Sequence, residues 1–277
     1  MTLNFIKLFN PAKIMISISL FFLLGLPHLS SKTIKTQPLP KTMKTVYLYH
    51  IVFGGFLNLG QATLSFFKEQ ENFKVILKVT PSGIAGFLSG YKEEYFEANG
   101  KIKNNRILTK SFVRKRKKEN KTLKSLHFFN HTQKKIQLTE WEELGKEEKR
   151  TKEPKWLDFY VQKDVVASFF DLSLKLYQGT LKENSFSFET LTLGEDKNKM
   201  SIYKEKKGKD NQTFKIDLYE FDKKNKKHYG KKTFILKTGK SGQFKSIIVE
   251  NLFWLGDLVG TLVNDEETLK VTEQPKD

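Results

Sequence analysis

The chain has 277 residues, 38% of them hydrophobic and 13% aromatic, enough to bury a core and to exclude a disordered protein; the length suits one large β domain or two small ones. Its formal net charge of +18 is almost all lysine, with Arg106, Arg114, Arg116 and Arg150 the only arginines among 49 Lys plus Arg. Arginine is the residue that grips phosphates and base edges bidentately, so this excess reads as a solvated lysine surface, with no nucleic acid as partner. Cysteine is absent, which excludes disulfides, thiolate metal sites, cysteine nucleophiles and a lipid-modified N-terminal cysteine.

Residues 1–13 carry Lys7 and Lys13 and no acid, and Ile14 to Leu26 form an unbroken apolar run of signal-peptide length. Pro27 ends it, and Ser30 and Ser31 supply small residues for cleavage, although His28 or Leu29 would occupy the position three before the cut. The expectation is an exported protein with residues 1–31 as signal peptide and the rest in the periplasm. The alternative is an uncleaved inner-membrane anchor facing the same compartment, for which the run is shorter than the ~20 residues a spanning helix needs. Removal of 1–31 takes two lysines from +18 and leaves +16.

Residues 32–44, rich in polar residues with Pro38 and Pro40, read as an extended leader. A β domain over 45–270 follows, then a polar tail at 271–277. Thr45 to Phe53 is aromatic and β-branched, and Gly54-Gly55 reads as a turn. Gln61 to Phe67 places Ala62, Leu64 and Phe66 on one face, after Gly60, which reads as a bulge that lets the sheet curl. Phe73 to Val79 alternates Phe73, Val75, Leu77 and Val79 against Lys74, Ile76 and Lys78. The same period continues through 110–116, 122–129, 134–142, 185–193, 199–204, 213–221, 231–238 and 243–252, giving about a dozen strands.

Two stretches break the alternation. Ser82 to Tyr95 fits a short amphipathic helix or a turn into a strand. Gln162 to Tyr177 fits a helix, with Val165, Phe169, Leu172 and Leu176 on one face and Asp164 capping its start. Glu140 to Arg150 mixes charges at helix-like spacing and reads as a solvated face. The expected architecture is therefore mainly β: a single curved antiparallel sheet closing as a spiral β-roll or open barrel, with one or two helices.

Titratable groups at catalytic spacing are scarce. His127 and His131 would share a face only on a helix, and the surrounding alternation is that of a strand. Glu93 and Glu94 are adjacent and so point to opposite faces of a strand. No nucleophile elbow, phosphate loop or zinc-protease motif is present, so neither an enzyme nor a cofactor is expected. Two binding candidates remain. An apolar groove inside the curled sheet would be lined by Leu64, Phe66, Val75 and Leu77 together with Phe253 and Trp254 of NLFWLGDLVGTLV, a density that core packing also produces. Arg114, Lys115 and Arg116, in the densest basic run, are candidates for contact with an anionic head group.

The order of the opening Tyr49 to Phe67 with its glycine pair and LGQA, the TPSGIAGFLSGYKEEY stretch, the isolated KDVVASFFDLSL segment and the late ENLFWLGDLVG resembles domain of unknown function 3108, a family of exported bacterial envelope proteins. The resemblance implies a spiral β-roll around a helix, similar to periplasmic lipoprotein carriers, and no catalytic residues. The expected function is that of a non-enzymatic, membrane-proximal periplasmic protein that binds a lipid, an acylated protein or another envelope protein. The alternative is a structural or interaction protein with no ligand cavity.

Overall fold

The computed structural model describes residues 40–83, 86, 92–118, 120–145, 147–178, 181, 184–192, 196–207, 212–222, 227–238, 244–250 and 257–263. They form β1 (Thr42–Phe53), β2 (Leu57–Glu69), β3 (Asn72–Pro81), β4 (Glu93–Lys103), β5 (Arg106–Lys118), β6 (Lys121–Asn130), β7 (Lys135–Leu144) and β8 (Glu147–Trp156). Helix α1 (Val165–Tyr177) follows, and then β9 (Ser185–Leu191), β10 (Lys197–Lys207), β11 (Gln212–Asp222), β12 (Lys227–Thr238), β13 (Phe244–Val249) and β14 (Leu258–Leu262).

All fourteen strands belong to one sheet with the order β8-β7-β6-β5-β4-β3-β2-β1-β14-β13-β12-β11-β10-β9. It consists of two meanders of antiparallel neighbours, joined where β14 pairs with β1 from Tyr49↔Leu262 to Phe53↔Leu258. Such a sheet forms because the strands alternate: β3 is buried at Phe73, Val75, Leu77 and Val79 while its lysines face outward. Curvature enters at irregular positions. The β1–β2 register shifts between Ile51 and Val52, opposite Gly60, whose φ is +138°. A Cβ there would lie 2.3 Å from the Thr80 carbonyl oxygen, so only glycine lets β2 and β3 approach. Gly54 and Gly55 form the β1–β2 turn with positive φ, as their sequence implies.

Helix α1 lies against the concave side, packed on β3, β4, β5 and β9. Asp164 caps the helix, its side chain accepting the Ala167 amide at 3.0 Å. The sequence pattern suggests one apolar face, yet every residue from Val165 to Leu174 is buried, polar Ser168, Asp171 and Ser173 included. A helix covered all round is a core element. Phe170 stacks on Phe66 of β2 with ring centroids 5.0 Å apart and lies 5.5 Å from the ring of Phe73.

Strand pairing alone leaves the sheet unclosed, and the chain leading into α1 spans the gap. Residues 106–110 of β5 pair with β4 only, because β6 begins its pairing at Ser111. There the Thr109 amide donates to the Gln162 carbonyl at 3.1 Å, and on the other side Leu191 of β9 donates to the Lys163 carbonyl at 3.2 Å. Asp164 forms an isolated parallel bridge with Leu191. The half of β5 beyond Ser111 continues with β6, β7 and β8 as a four-stranded extension whose last strand is exposed at almost every residue.

Several expectations are corrected. Thr42, Met43 and Lys44, placed in the leader, are already strand, because Met43 is core and Lys41 accepts the Gln70 amide. Glu147 to Arg150 is solvated as expected, but lies in strand β8 and not at helical spacing; an edge strand with no buried face shows no apolar alternation, and its charges pair across strands, as Lys152 does with Glu140 at 2.8 Å. Within Ser82 to Tyr95, β4 takes Glu93 onward, Gly83 and Gly86 are helical, and residues 84–85 and 87–91 lie outside the described residues, as do the expected signal peptide and tail.

Candidate functional site

The expected groove residues are placed on the inner faces of β2 and β3. Leu64, Phe66, Val75 and Leu77 are fully buried in a single core cluster with α1, so the face they form is covered by the protein's own helix. Phe253 and Trp254 lie outside the described residues. Tyr47 and Tyr49 of β1 extend the same face; burial raises both phenols well above their ordinary pKa, and the Tyr49 hydroxyl donates to the Phe244 carbonyl at 3.4 Å.

The three residues expected to meet an anionic head group are divided between two faces, because neighbours on a strand alternate. Arg114 and Arg116 point inward to the fully buried Glu94: Arg114 Nη2 donates to both carboxylate oxygens at 3.1 and 3.2 Å, and Arg116 Nε to one of them at 3.2 Å. These guanidiniums neutralise a buried carboxylate, Arg114 largely buried and Arg116 partly exposed beside it. Glu93, as expected, faces the other way, 3.8 Å from Lys78. Lys115 alone of the three lies on the outer face, its ammonium 5.8 Å from the Tyr95 ring.

The densest polar constellation is at the closure. Thr109 Oγ1 donates to Asp164 Oδ2 at 2.7 Å, and the Thr109 carbonyl lies 2.7 Å from His131 Nε2. A carbonyl only accepts, so Nε2 carries the proton and Nδ1 accepts from the Tyr160 hydroxyl at 2.6 Å. Ser168 Oγ donates to the Asp164 carbonyl and lies 3.0 Å from Thr190 Oγ1 of β9. Asp164 is fully buried, and burial pushes its carboxyl up to about 6 against the hydrogen bonds from Ala167 and Thr109. Beside it, Lys163 is paired with Asp171, which also takes Lys175 at 3.1 Å, and the Lys163 ammonium lies 4.3 Å from the Phe188 ring. Burial lowers the Lys163 pKa, partly opposed by Asp171. Each of these groups holds α1 or β9 in place.

The histidines fall to structural positions. His127 is buried 5.8 Å from the Phe112 ring, and His131 serves the closure. Among the described residues no group of three or more His, Cys, Asp or Glu could hold a metal ion, and no helix is long and apolar enough to cross a membrane.

Sequence reading missed the side chains that register collects on the outer face of β4–β8. Tyr95, Lys115, Lys124, Trp141 and Arg150 occupy one row across five strands, and Ser111, Phe128, Gln137 and Trp156 another. Lys124 lies 5.0 Å from the Trp141 ring and Lys135 5.6 Å from that of Trp156. Only the hairpin register could have revealed these rows, because the residues are far apart along the chain.

No family model matches the chain, and no curated protein matches it. Among solved structures the chain is similar to a β-barrel-like protein of domain of unknown function 1849 from Brucella abortus, with a TM-score of 0.49 and 12% identity over 82% of this chain and 98% of that chain. The resemblance to domain of unknown function 3108 is therefore corrected: no family model matches the chain, that family's included. The stretches that carried it are glycine turns, a bulge and apolar segments, which any curled sheet packed on a helix requires.

Proposed function

We propose that the protein is an exported, non-enzymatic component of the bacterial cell envelope that acts through its outer surface, with its interior occupied by its own helix. The apolar run from Ile14 to Leu26 behind Lys7 and Lys13 supports export. The observation that carries the rest is the burial of α1. A carrier of acyl chains needs an apolar cavity inside its curled sheet, and here Phe66 and Phe73 pack on Phe170 of the helix instead, with Val75 and Leu77 buried in the same core cluster. The buried polar groups support the same reading, since Asp164, Thr109, His131, Lys163 and Asp171 bond to one another and to the backbone and so stabilise closure.

The test is to purify the full chain from its membrane and periplasmic fractions and extract it for lipid mass spectrometry, with crosslinking in intact cells alongside. A chain recovered outside the cytoplasm, with crosslinked envelope neighbours and no stoichiometric acyl ligand, is the expected result. A tightly held lipid at one per chain would return the protein to the carriers, and recovery from the cytoplasm would overturn export.

A further inference from the structure

The outer face of β4–β8 differs from an ordinary solvated sheet face in exposing large aromatic groups. Trp156 is 49% exposed and Phe128 40% exposed. Tyr95 and Trp141 lie on the same face, half-buried, and Val113 and Leu126, paired with each other, lie between the two rows. Ammonium groups stand against three of the rings, Lys115 at Tyr95, Lys124 at Trp141 and Lys135 at Trp156. The acids on this face are already engaged: Glu97 with Tyr95, Asn99 and Lys74, and Glu143 and Glu148 with Lys124 at 3.9 and 3.3 Å.

Rings with one apolar and one polar side, rimmed by long cationic side chains, match the boundary where hydrocarbon gives way to anionic head groups. We propose that this face lies against an anionic lipid bilayer, with Phe128 and Trp156 at the head-group boundary and Lys115 and Lys135 directed to lipid phosphates, Lys124 being held by Glu143 and Glu148. The proposal rests on the export reading above. Two features favour a bilayer over nucleic acid. The bidentate cations of β5, Arg114 and Arg116, are turned inward to Glu94, so that the outer face carries point-charge lysines and a single arginine, Arg150, which lies 4.0 Å from Glu153. The most exposed rings also sit beside aliphatic Val113 and Leu126, which offer buried area rather than base contacts.

The chain has three tryptophans, Trp141, Trp156 and Trp254, so a Trp254→Phe variant of the full chain leaves only the two on this face. Its fluorescence is followed on adding vesicles of brominated phosphatidylcholine mixed with phosphatidylglycerol. Quenching that requires phosphatidylglycerol is expected. Joint Lys115→Gln and Lys135→Gln should raise the vesicle concentration for half-quenching by roughly tenfold or more, with the two arginine replacements restoring it. Sedimentation with vesicles and no quenching would overturn the proposal, since the segment before β1 would then bind without this face. Equal quenching by pure phosphatidylcholine, or quenching by a single-stranded oligonucleotide and not by vesicles, would overturn it as well. None of these outcomes touches the filled interior, which the lipid extraction tests separately.

Discussion

Asp164 is the carboxylate with the most to lose by being ionised. It is fully buried, caps α1 and receives the Thr109 hydroxyl, and burial places its carboxyl at about 6 against an ordinary 3.8. A raised carboxyl pKa means that the folded protein holds this proton more tightly than the unfolded chain. The stability this contributes is complete below pH 3.8 and disappears as the pH rises through about 6. Each pH unit of separation is worth about 1.4 kcal/mol, so the ionised group costs roughly 3 kcal/mol at pH 7. Asp164→Asn keeps an oxygen for the Ala167 amide and an N–H for Thr109 Oγ1, and asparagine caps helices as well as aspartate does. The variant should therefore be more stable than the native chain by up to about 3 kcal/mol at pH 7, with the gain shrinking to roughly 0.5 kcal/mol at pH 4. Urea midpoints of both proteins across pH 4 to 8 measure this difference, and subtraction removes every other titrating group, such as Glu97, whose hydrogen bonds from Asn99, Tyr95 and Lys74 outweigh its burial and shift it the opposite way. A gain independent of pH, or a loss at pH 7, would refute the reasoning and mean that the closure needs the negative charge.

Phe170→Ala should destabilise the fold by about 3–5 kcal/mol, since it empties the space between Phe66 and Phe73, and the cavity should take up an apolar dye that the native protein excludes, as read by denaturant midpoints and dye fluorescence. Gly60→Ala should cost roughly 2 kcal/mol or more, because its Cβ meets the Thr80 carbonyl oxygen at 2.3 Å on a backbone of φ +138°; a thermal melt unchanged from the native one would contradict the bulge. Glu94→Gln leaves Arg114 and Arg116 without their shared carboxylate and should cost roughly 2–3 kcal/mol, discounted because Arg116 is partly exposed; in the Arg114→Leu background the same change should cost clearly less, which a double-mutant cycle reads.

Much of the fold was legible because alternation and burial coincide. β1 to β3 repeat apolar residues at period two, and the Asp164 cap before VVASFF marks the helix start. β8 was not legible, since a strand exposed on both faces has no apolar pattern to read, and β4 was obscured by the glycines and charges at its two ends. The degree to which α1 is buried was also hidden. A helix seen in sequence as having one apolar face becomes fully covered only when the sheet wraps round it, and serine and aspartate then survive inside because Thr190 and Lys163 partner them. The period of β2 and β3 shows that Leu64, Phe66, Val75 and Leu77 share the inner face, but sequence carries no information on what fills a concave face. The arginines of β5 illustrate the same limit: RKRKK reads as one basic cluster, whereas the pleat sends its members to opposite faces and a glutamate twenty residues earlier decides what two of them do.

The central claim, that α1 permanently fills the curled sheet, is tested most directly by hydrogen exchange of the amides from Val165 to Leu176 in the full chain. Exchange only through global unfolding, with protection matching the overall stability and unchanged by added lipid or detergent, is the predicted result. Exchange through a cheaper local opening, or loss of protection when lipid is added, would contradict it and show that the helix leaves to admit a ligand.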